Sequence, residues 1–193
     1  MKLKVFPYRE VDSTNNIAID LIKKKKYENG CVYALYQKKG RGRHGKKWIS
    51  KKGNLFSSIF FRLKKNYPTI EEFNLINTII NIEIINKYCE KKNTFFKPPN
   101  DIYVNNKKIC GILQEVIILE KKKYLIVGIG VNLVSSPKKL NYKTTNIYEQ
   151  INKRLSIDEF ILEIVKKYEK FINNIYNFNF YKFEAKSKKF LLK

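Results

Sequence analysis

Between Gly40 and Trp48 three glycines alternate with basic residues: Gly40, Arg41, Gly42, Arg43, His44, Gly45, Lys46 and Lys47, then the chain's single tryptophan. Glycine permits positive φ and lets backbone N–H groups come close to a ligand. Successive N–H groups in such a loop form a concavity for anions. Arginine adds a planar fork that fits phosphate, and Trp48 adds a flat surface on which a base can stack. One stretch thus combines phosphate contacts, a base platform and freedom to close over a ligand. The same composition also describes a solvated basic loop, and a short glycine-rich motif alone does not decide between the two.

Other polar clusters interrupt apolar runs. They are Ser13-Thr14-Asn15, Gln37 ahead of the glycine loop, Asn100-Asp101 with Lys108, and Asn132 behind Gly128 and Gly130. Together they offer amide and hydroxyl partners for a small polar ligand. Lys108 follows Asp101 across a hairpin, so a carboxylate and an ammonium converge if both ends of that hairpin face one cleft. Singly, each has a plainer reading: helix cap, turn residue, solvated lysine, strand-end bulge.

The elements that must hold these groups are legible from pattern. Residues 3–8 alternate loosely as an edge strand. Ile17, Ala18, Leu21 and Ile22 fall on one helical face behind the polar cap. Residues 31–36 and 54–61 read as strands, and the basic glycine loop hangs between them, where binding loops often sit. Thr69-Ile70-Glu71-Glu72 has the form of a capping box and opens a helix to about Cys89. Thr94 to Lys97 is a short strand stopped by Pro98-Pro99. Residues 102–119 form a hairpin, Tyr124 to Leu133 a glycine-punctuated strand, and Ser156 opens a second long helix. The expected fold is α+β, a mostly antiparallel mixed sheet covered by helices on one face.

Length and composition set bounds. The chain has 193 residues, 44% of them hydrophobic, enough for one sizeable core. No apolar run reaches the length of a membrane span, and the N-terminus lacks a secretory signal pattern. Cys31, Cys89 and Cys110 are far apart and odd in number, which points to buried thiols in a reducing cytoplasm rather than disulfides or zinc. The formal net charge of +23 invites a nucleic-acid reading. The excess lysine is scattered, however, and accompanies abundant Asn, Ile, Tyr and Phe, the profile of an AT-rich coding sequence. No specific nucleic acid and no membrane are expected as partners.

Taken in order, the blocks resemble the catalytic domain of biotin protein ligases. The matching pieces are Asp12-Ser13-Thr14-Asn15, Gln37 with Gly40 to Trp48, Lys97-Pro98-Pro99-Asn100-Asp101, Lys108 to Glu115, and Gly128-Ile129-Gly130-Val131-Asn132-Leu133. The resemblance implies a fold of the class II aminoacyl-tRNA synthetase and biotin synthetase type. It implies a two-step ligase that uses MgATP to make biotinyl-5′-AMP and passes the biotinyl group to a lysine of a biotin carboxyl carrier domain. By the same resemblance Ser13, Thr14, Asn15, Gln37, Gly40, Arg41, Lys108 and Gly111 would hold biotin. Arg41, Arg43, Lys46, Trp48, Asn100, Lys108 and Asn132 would hold ATP, with Trp48 and Asn132 at adenine. Lys108, Arg43 and Asp101 would serve catalysis, and Asp101 would meet Mg²⁺ through the nucleotide.

There are departures. Pro98 stands where the family usually has Trp, and Lys46 where Arg is common. Residues 1–177 are expected to form the catalytic domain and 178–193 a tail. The helix-turn-helix domain that can precede it and the small barrel that commonly follows it are expected to be absent or cut short. A lipoate or octanoate ligase or transferase of the related fold is the nearest alternative, and a basic nucleic-acid-binding protein the non-enzymatic one. A homodimer is left open.

Overall fold

A computed structural model describes residues 1–89, 93–138 and 140–191. Seven strands form one sheet: β1 (Val5–Tyr8), β2 (Asn29–Ala34), β3 (Leu55–Arg62), β4 (Thr94–Lys97), β5 (Asp101–Val104), β6 (Lys107–Leu119) and β7 (Lys122–Val131). Their order across the sheet is β1-β2-β3-β7-β6-β5-β4. Only β1 and β2 run parallel; the other pairs are antiparallel. The helices are α1 (Thr14–Lys25), α2 (Ile70–Cys89), α3 (Ile147–Ile151), α4 (Ile157–Asn173) and α5 (Phe180–Ser187).

Local chemistry sets these boundaries. Thr69 and Glu72 cap α2 reciprocally: Thr69 N donates to Glu72 Oε2 at 2.7 Å, and Glu72 N to Thr69 Oγ1 at 3.2 Å. Asn105-Asn106 and Glu120-Lys121 close the β5–β6 and β6–β7 hairpins with positive φ at both positions. That is the twist a two-residue hairpin turn requires, and Asn tolerates it well. The Pro98–Pro99 bond is cis and bends the chain between β4 and β5.

The sheet is buried on both faces, and this differs from the expectation of helices on one side. On one face the main core gathers Ile59, Phe61, Ile112, Val127 and Ile129 against α2 and α4 through Ile76, Ile79, Phe160 and Ile164. On the other face α1 packs Ala18, Leu21 and Ile22 on Val32, Phe60 and Ile126. The apolar stripe of α1 is short, so it covers only part of that face. Strands β7 and β6 carry Gly128, Gly130 and Gly111 beyond its edge. The bare part of the sheet becomes the floor of a cavity.

Residues 178–191 join the same body. Phe178, Phe183 and Phe190 pack against the main core, and Leu191 forms a bridge with Phe96 on the edge strand β4. That bridge covers an edge that would otherwise offer unpaired backbone groups.

Candidate active site

A cavity of about 570 Å³ opens on the α1 face, over the glycine-bearing strands. Its floor depends on register. Gly111 of β6 pairs with Gly130 of β7, and Ser58 of β3 pairs with Gly128. The indole of Trp48 lies across the Gly111–Gly130 pair: a Cβ on Gly111 would stand 2.6 Å from Cζ3, and one on Gly130 2.5 Å from Cε2. Glycine is required at both positions by this close approach. Nothing in the sequence pattern showed that these glycines serve the tryptophan. Trp48 Nε1 is buried and has no hydrogen-bond partner, a donor aimed at nothing in the protein.

The loop that carries Trp48 is a small hairpin rather than a shapeless strap. Arg41 bridges Lys47, Gly42 N donates to Lys46 O at 2.7 Å, and Trp48 N donates to Gly40 O at 2.9 Å. His44 and Gly45 sit at its tip with φ of 52° and 72°.

Lys108 reaches the cavity because of a register shift. Asp101 pairs with Gly111 and Ile102 with Cys110, but Tyr103 pairs with Lys108, so Ile109 is one extra residue. Such a bulge re-aims a side chain. Ile109 and Cys110 both go into the main core, and Lys108 turns to the same face as Asp101 and Gly111. Its ammonium lies 2.7 Å from Asp101 Oδ1, and its side chain is only 12% exposed. The rings of Trp48 and Tyr142 flank it at 5.6 and 5.3 Å from their centroids. The backbone of Lys108 is held by residues 143–145: Lys108 N donates to Lys143 O and Thr145 N to Lys108 O, both at 2.9 Å.

A chain of hydrogen bonds runs under the other end of the cavity. Gln37 Oε1 accepts from Thr14 N at 2.8 Å and Thr14 Oγ1 at 3.1 Å, while Gln37 Nε2 donates to Ser50 at 3.2 Å. The Ser58 hydroxyl lies 2.8 Å from Thr14 Oγ1 and donates to Asn15 Oδ1. Asn15 Nδ2 donates to Glu115 Oε2 at 2.5 Å, and Arg41 donates to that same oxygen at 2.7 Å. Ser13 stands at the cap position of α1, yet its side chain makes no capping hydrogen bond.

Most residues expected from the sequence therefore meet. Ser13, Thr14, Asn15, Gln37, Arg41, Arg43, Lys46, Trp48, Asn100, Asp101, Lys108 and Gly111 all line one cavity. Two stand apart from its wall. Gly40 is buried beneath the loop, where a Cβ would strike the Trp48 carbonyl. Asn132 is buried at the end of β7; its Nδ2 donates to Thr145 O at 3.0 Å, while its buried Oδ1 has no hydrogen-bond partner. Asn100 is partly committed too, donating to Ile112 O at 2.6 Å. Tyr142, Tyr103 and Lys97 also line the cavity. Tyr142 falls in a polar stretch without period, and no pattern singled it out.

The charge on this cavity is lopsided. Arg41, Arg43, Lys46, Lys47, Lys97 and Lys108 line it against one carboxylate, Asp101. Cations focused in a cleft with low-dielectric walls attract a polyanion.

The Biotin/lipoate A/B protein ligase family model matches residues 7–132. The chain belongs to that family. The match runs from ahead of the α1 cap to Asn132 and so takes in the polar clusters and the glycine loop. Among relatives of this ligase-family chain, the bifunctional ligase/repressor BirA of Escherichia coli (strain K12) is 35% identical over 125 residues, 64% of this chain and 38% of that protein. The biotin–[acetyl-CoA-carboxylase] ligase of Paracoccus denitrificans is 29% identical over 128 residues, 65% of this chain and 53% of that protein. The chain thus spans well under two thirds of the curated relatives it matches. Among solved structures, the biotin protein ligase of Aquifex aeolicus in complex with biotin and ATP superposes with a TM-score of 0.82 at 29% identity, covering 98% of this chain and 78% of that one. The family fold, a mixed sheet with flanking helices, agrees with the one expected from sequence.

Proposed function

We propose that this chain activates biotin with ATP and transfers the biotinyl group to a lysine of a carrier domain. The observation that carries the reading is a cavity with six lining cations, one carboxylate and a polar end, matched in fold by a relative bound to biotin and ATP. In the first step a biotin carboxylate oxygen attacks the α-phosphorus of ATP, and pyrophosphate leaves. In the second an uncharged lysine amine attacks the acyl carbon of biotinyl-5′-AMP, AMP leaves, and the amine loses a proton.

Both steps gather negative charge around the α-phosphate, so fixed cations are the main requirement. Lys108 is held between two rings and Asp101, so its ammonium is positioned before the ligand arrives. Arg43, Lys46 and Lys47 stand on the loop and answer the triphosphate. Trp48, seated on its glycine pair, offers a ring face and an unused Nε1 donor. Ser13, Thr14 and Asn15 make the polar end that suits the biotin ureido ring, and Gln37 frames it. The closed loop excludes water from a mixed anhydride that water would destroy.

The donor set bears on magnesium. Among the described residues no group of three or more His, Cys, Asp or Glu could hold a metal. Asp101 is the one carboxylate on the wall, and Lys108 already engages one of its oxygens. That set fits an ion brought by the nucleotide and held chiefly by phosphates and water, with Asp101 in reach. Its chemistry there would be neutralisation of phosphate charge.

The acceptor we favour is the biotin carrier domain of a biotin-dependent carboxylase, in the cytoplasm. Among the described residues no helix is long and apolar enough to cross a membrane. The test is ATP–pyrophosphate exchange with biotin, with lipoate as control and no carrier present. Exchange with biotin alone is expected. Equal exchange with lipoate, or none with biotin, would discard the assignment.

A further inference from the structure

Glu115 does not belong to the cavity wall, yet it joins the two parts that make the cavity. One of its oxygens, Oε2, accepts from Arg41 on the loop at 2.7 Å and from Asn15 at the head of α1 at 2.5 Å. Glu115 sits on β6 in register with Ile126, on the same face as Gly111 and Leu113. Asn15 can approach because its neighbour on β7 is Gly128, where any Cβ would collide with the Asn15 amide. Ser58, paired across from Gly128, fixes the other end of that amide by donating to Oδ1. Its acceptor thus fixed, Asn15 turns its Nδ2 donor to Glu115.

We propose that Glu115 is the positioning residue that latches the Arg41–Trp48 hairpin over the cavity and ties closure to the biotin end of the floor; this rests on the ligase reading above. Arg41 is bridged to Lys47, and Trp48 N bonds to Gly40 O, so the hairpin moves as a unit. Freeing Arg41 therefore frees Trp48 from its glycine seat. The loop carries Arg41, Arg43, Lys46 and Lys47, which repel one another and the rest of a basic chain. Glu115 is the acidic partner that closes it. The Arg41–Glu115 pair is partly shielded, with side chains 38% and 28% exposed. A pair of that kind tips a two-state loop by a factor of about two to five.

The chain's single tryptophan is itself the reporter. Emission wavelength and acrylamide quenching of Trp48 are compared in the wild type, Glu115→Gln, Glu115→Ala, Arg41→Ala and the Glu115→Ala/Arg41→Ala pair, without ligand. A latch predicts red-shifted emission and a quenching constant raised roughly two- to threefold in Glu115→Ala and Arg41→Ala. Glu115→Gln, which keeps an acceptor but no charge, is expected in between. The double variant should open no further than either single one, since both remove the same contact. In the Glu115 variants the KM for biotin should rise by a similar factor, with kcat little changed and the melting temperature within about 2 °C of wild type. Unchanged quenching in Glu115→Ala, or additive opening in the double variant, would overturn the latch. Wild-type protein that shows no biotin-dependent exchange would sink the ligase reading instead, while the fluorescence comparison still judges the latch.

Discussion

Lys108 Nζ stands 2.7 Å from Asp101 Oδ1, and a one-residue bulge at Ile109 is what brings them together. Without that extra residue, strict alternation from Gly111 would send Lys108 into the main core. The pair fixes a cation on the cavity side while Ile109 and Cys110 stay buried.

Replacing Lys108 by Gln keeps length and a hydrogen-bonding group but removes the charge. The adenylation rate is expected to fall by about 10²–10³, the usual cost of losing one preorganised electrostatic contact. A solvated lysine would contribute little to stability. The side chain is in fact largely covered, and its loss leaves Asp101 without its partner. A melting temperature lower by roughly 2–4 °C is expected as well, corresponding to about 1 kcal/mol. Pyrophosphate exchange together with calorimetry checks both parts; near-normal exchange would remove Lys108 from the chemistry.

Gly130→Ala tests the seat of Trp48. A methyl group there would stand 2.5 Å from the indole, so the ring must lift. Alanine is also the better strand residue, by about 0.5–1 kcal/mol in backbone entropy, which offsets lost packing. We expect a melting temperature within about 2 °C of wild type, with exchange reduced at least about tenfold. Normal exchange with displaced Trp48 fluorescence would show that the ring's seat is not needed for the reaction.

The parts of this molecule that were readable beforehand are those set by local rules. The α2 cap is reciprocal because Thr69 and Glu72 lie three apart. Long-range pairings had no local signal. Glu115 joins Asn15 across 100 residues and Arg41 across 74, and no spacing rule links them. Ser58 gave a hint, as a polar residue inside Leu55–Arg62, a strand otherwise rich in aromatic and aliphatic side chains. The bulge at Ile109 was hidden because Ile109 and Cys110 are both apolar, so the pattern does not betray the slip. The coverage of both sheet faces was missed because α1 is short and half polar, and its stripe reads like a surface helix.

Alkaline pH should destabilise the fold through its buried thiols. Burial pushes the Cys31 and Cys110 thiols well above their ordinary value of 9.0. In the unfolded chain each loses its proton near that ordinary value, whereas the folded chain keeps it. The unfolded state then binds fewer protons, so stability is intact below about pH 8.5 and declines above it. The slope should approach about 1.4 kcal/mol per pH unit for each thiol. Urea unfolding between pH 8 and 10.5 measures it, and Cys31→Ala with Cys110→Ala should flatten the curve. A stability that is level across that range would refute the assignment.

Asn54 holds the chain segment that leads to the cavity's far wall. Its side chain is fully buried, and Oδ1 accepts from three successive amides, Leu133 at 3.0 Å, Val134 at 3.1 Å and Ser135 at 3.2 Å. Its Nδ2 donates back to Ser135 O at 2.8 Å. This one residue holds the chain as it leaves β7, ahead of the segment that carries Tyr142 and the backbone partners of Lys108. Asn54→Ala leaves buried backbone donors without an acceptor, at about 1–3 kcal/mol for such a group. We expect a total loss of about 2–4 kcal/mol in urea unfolding, near the top of the range for one substitution. Hydrogen exchange should quicken at the amides of residues 133–135 and 143–145, and much less at α1 or α2. Uniform quickening throughout would mean that Asn54 supports the whole core rather than this wall, and a loss below about 1 kcal/mol would mean that water replaces it.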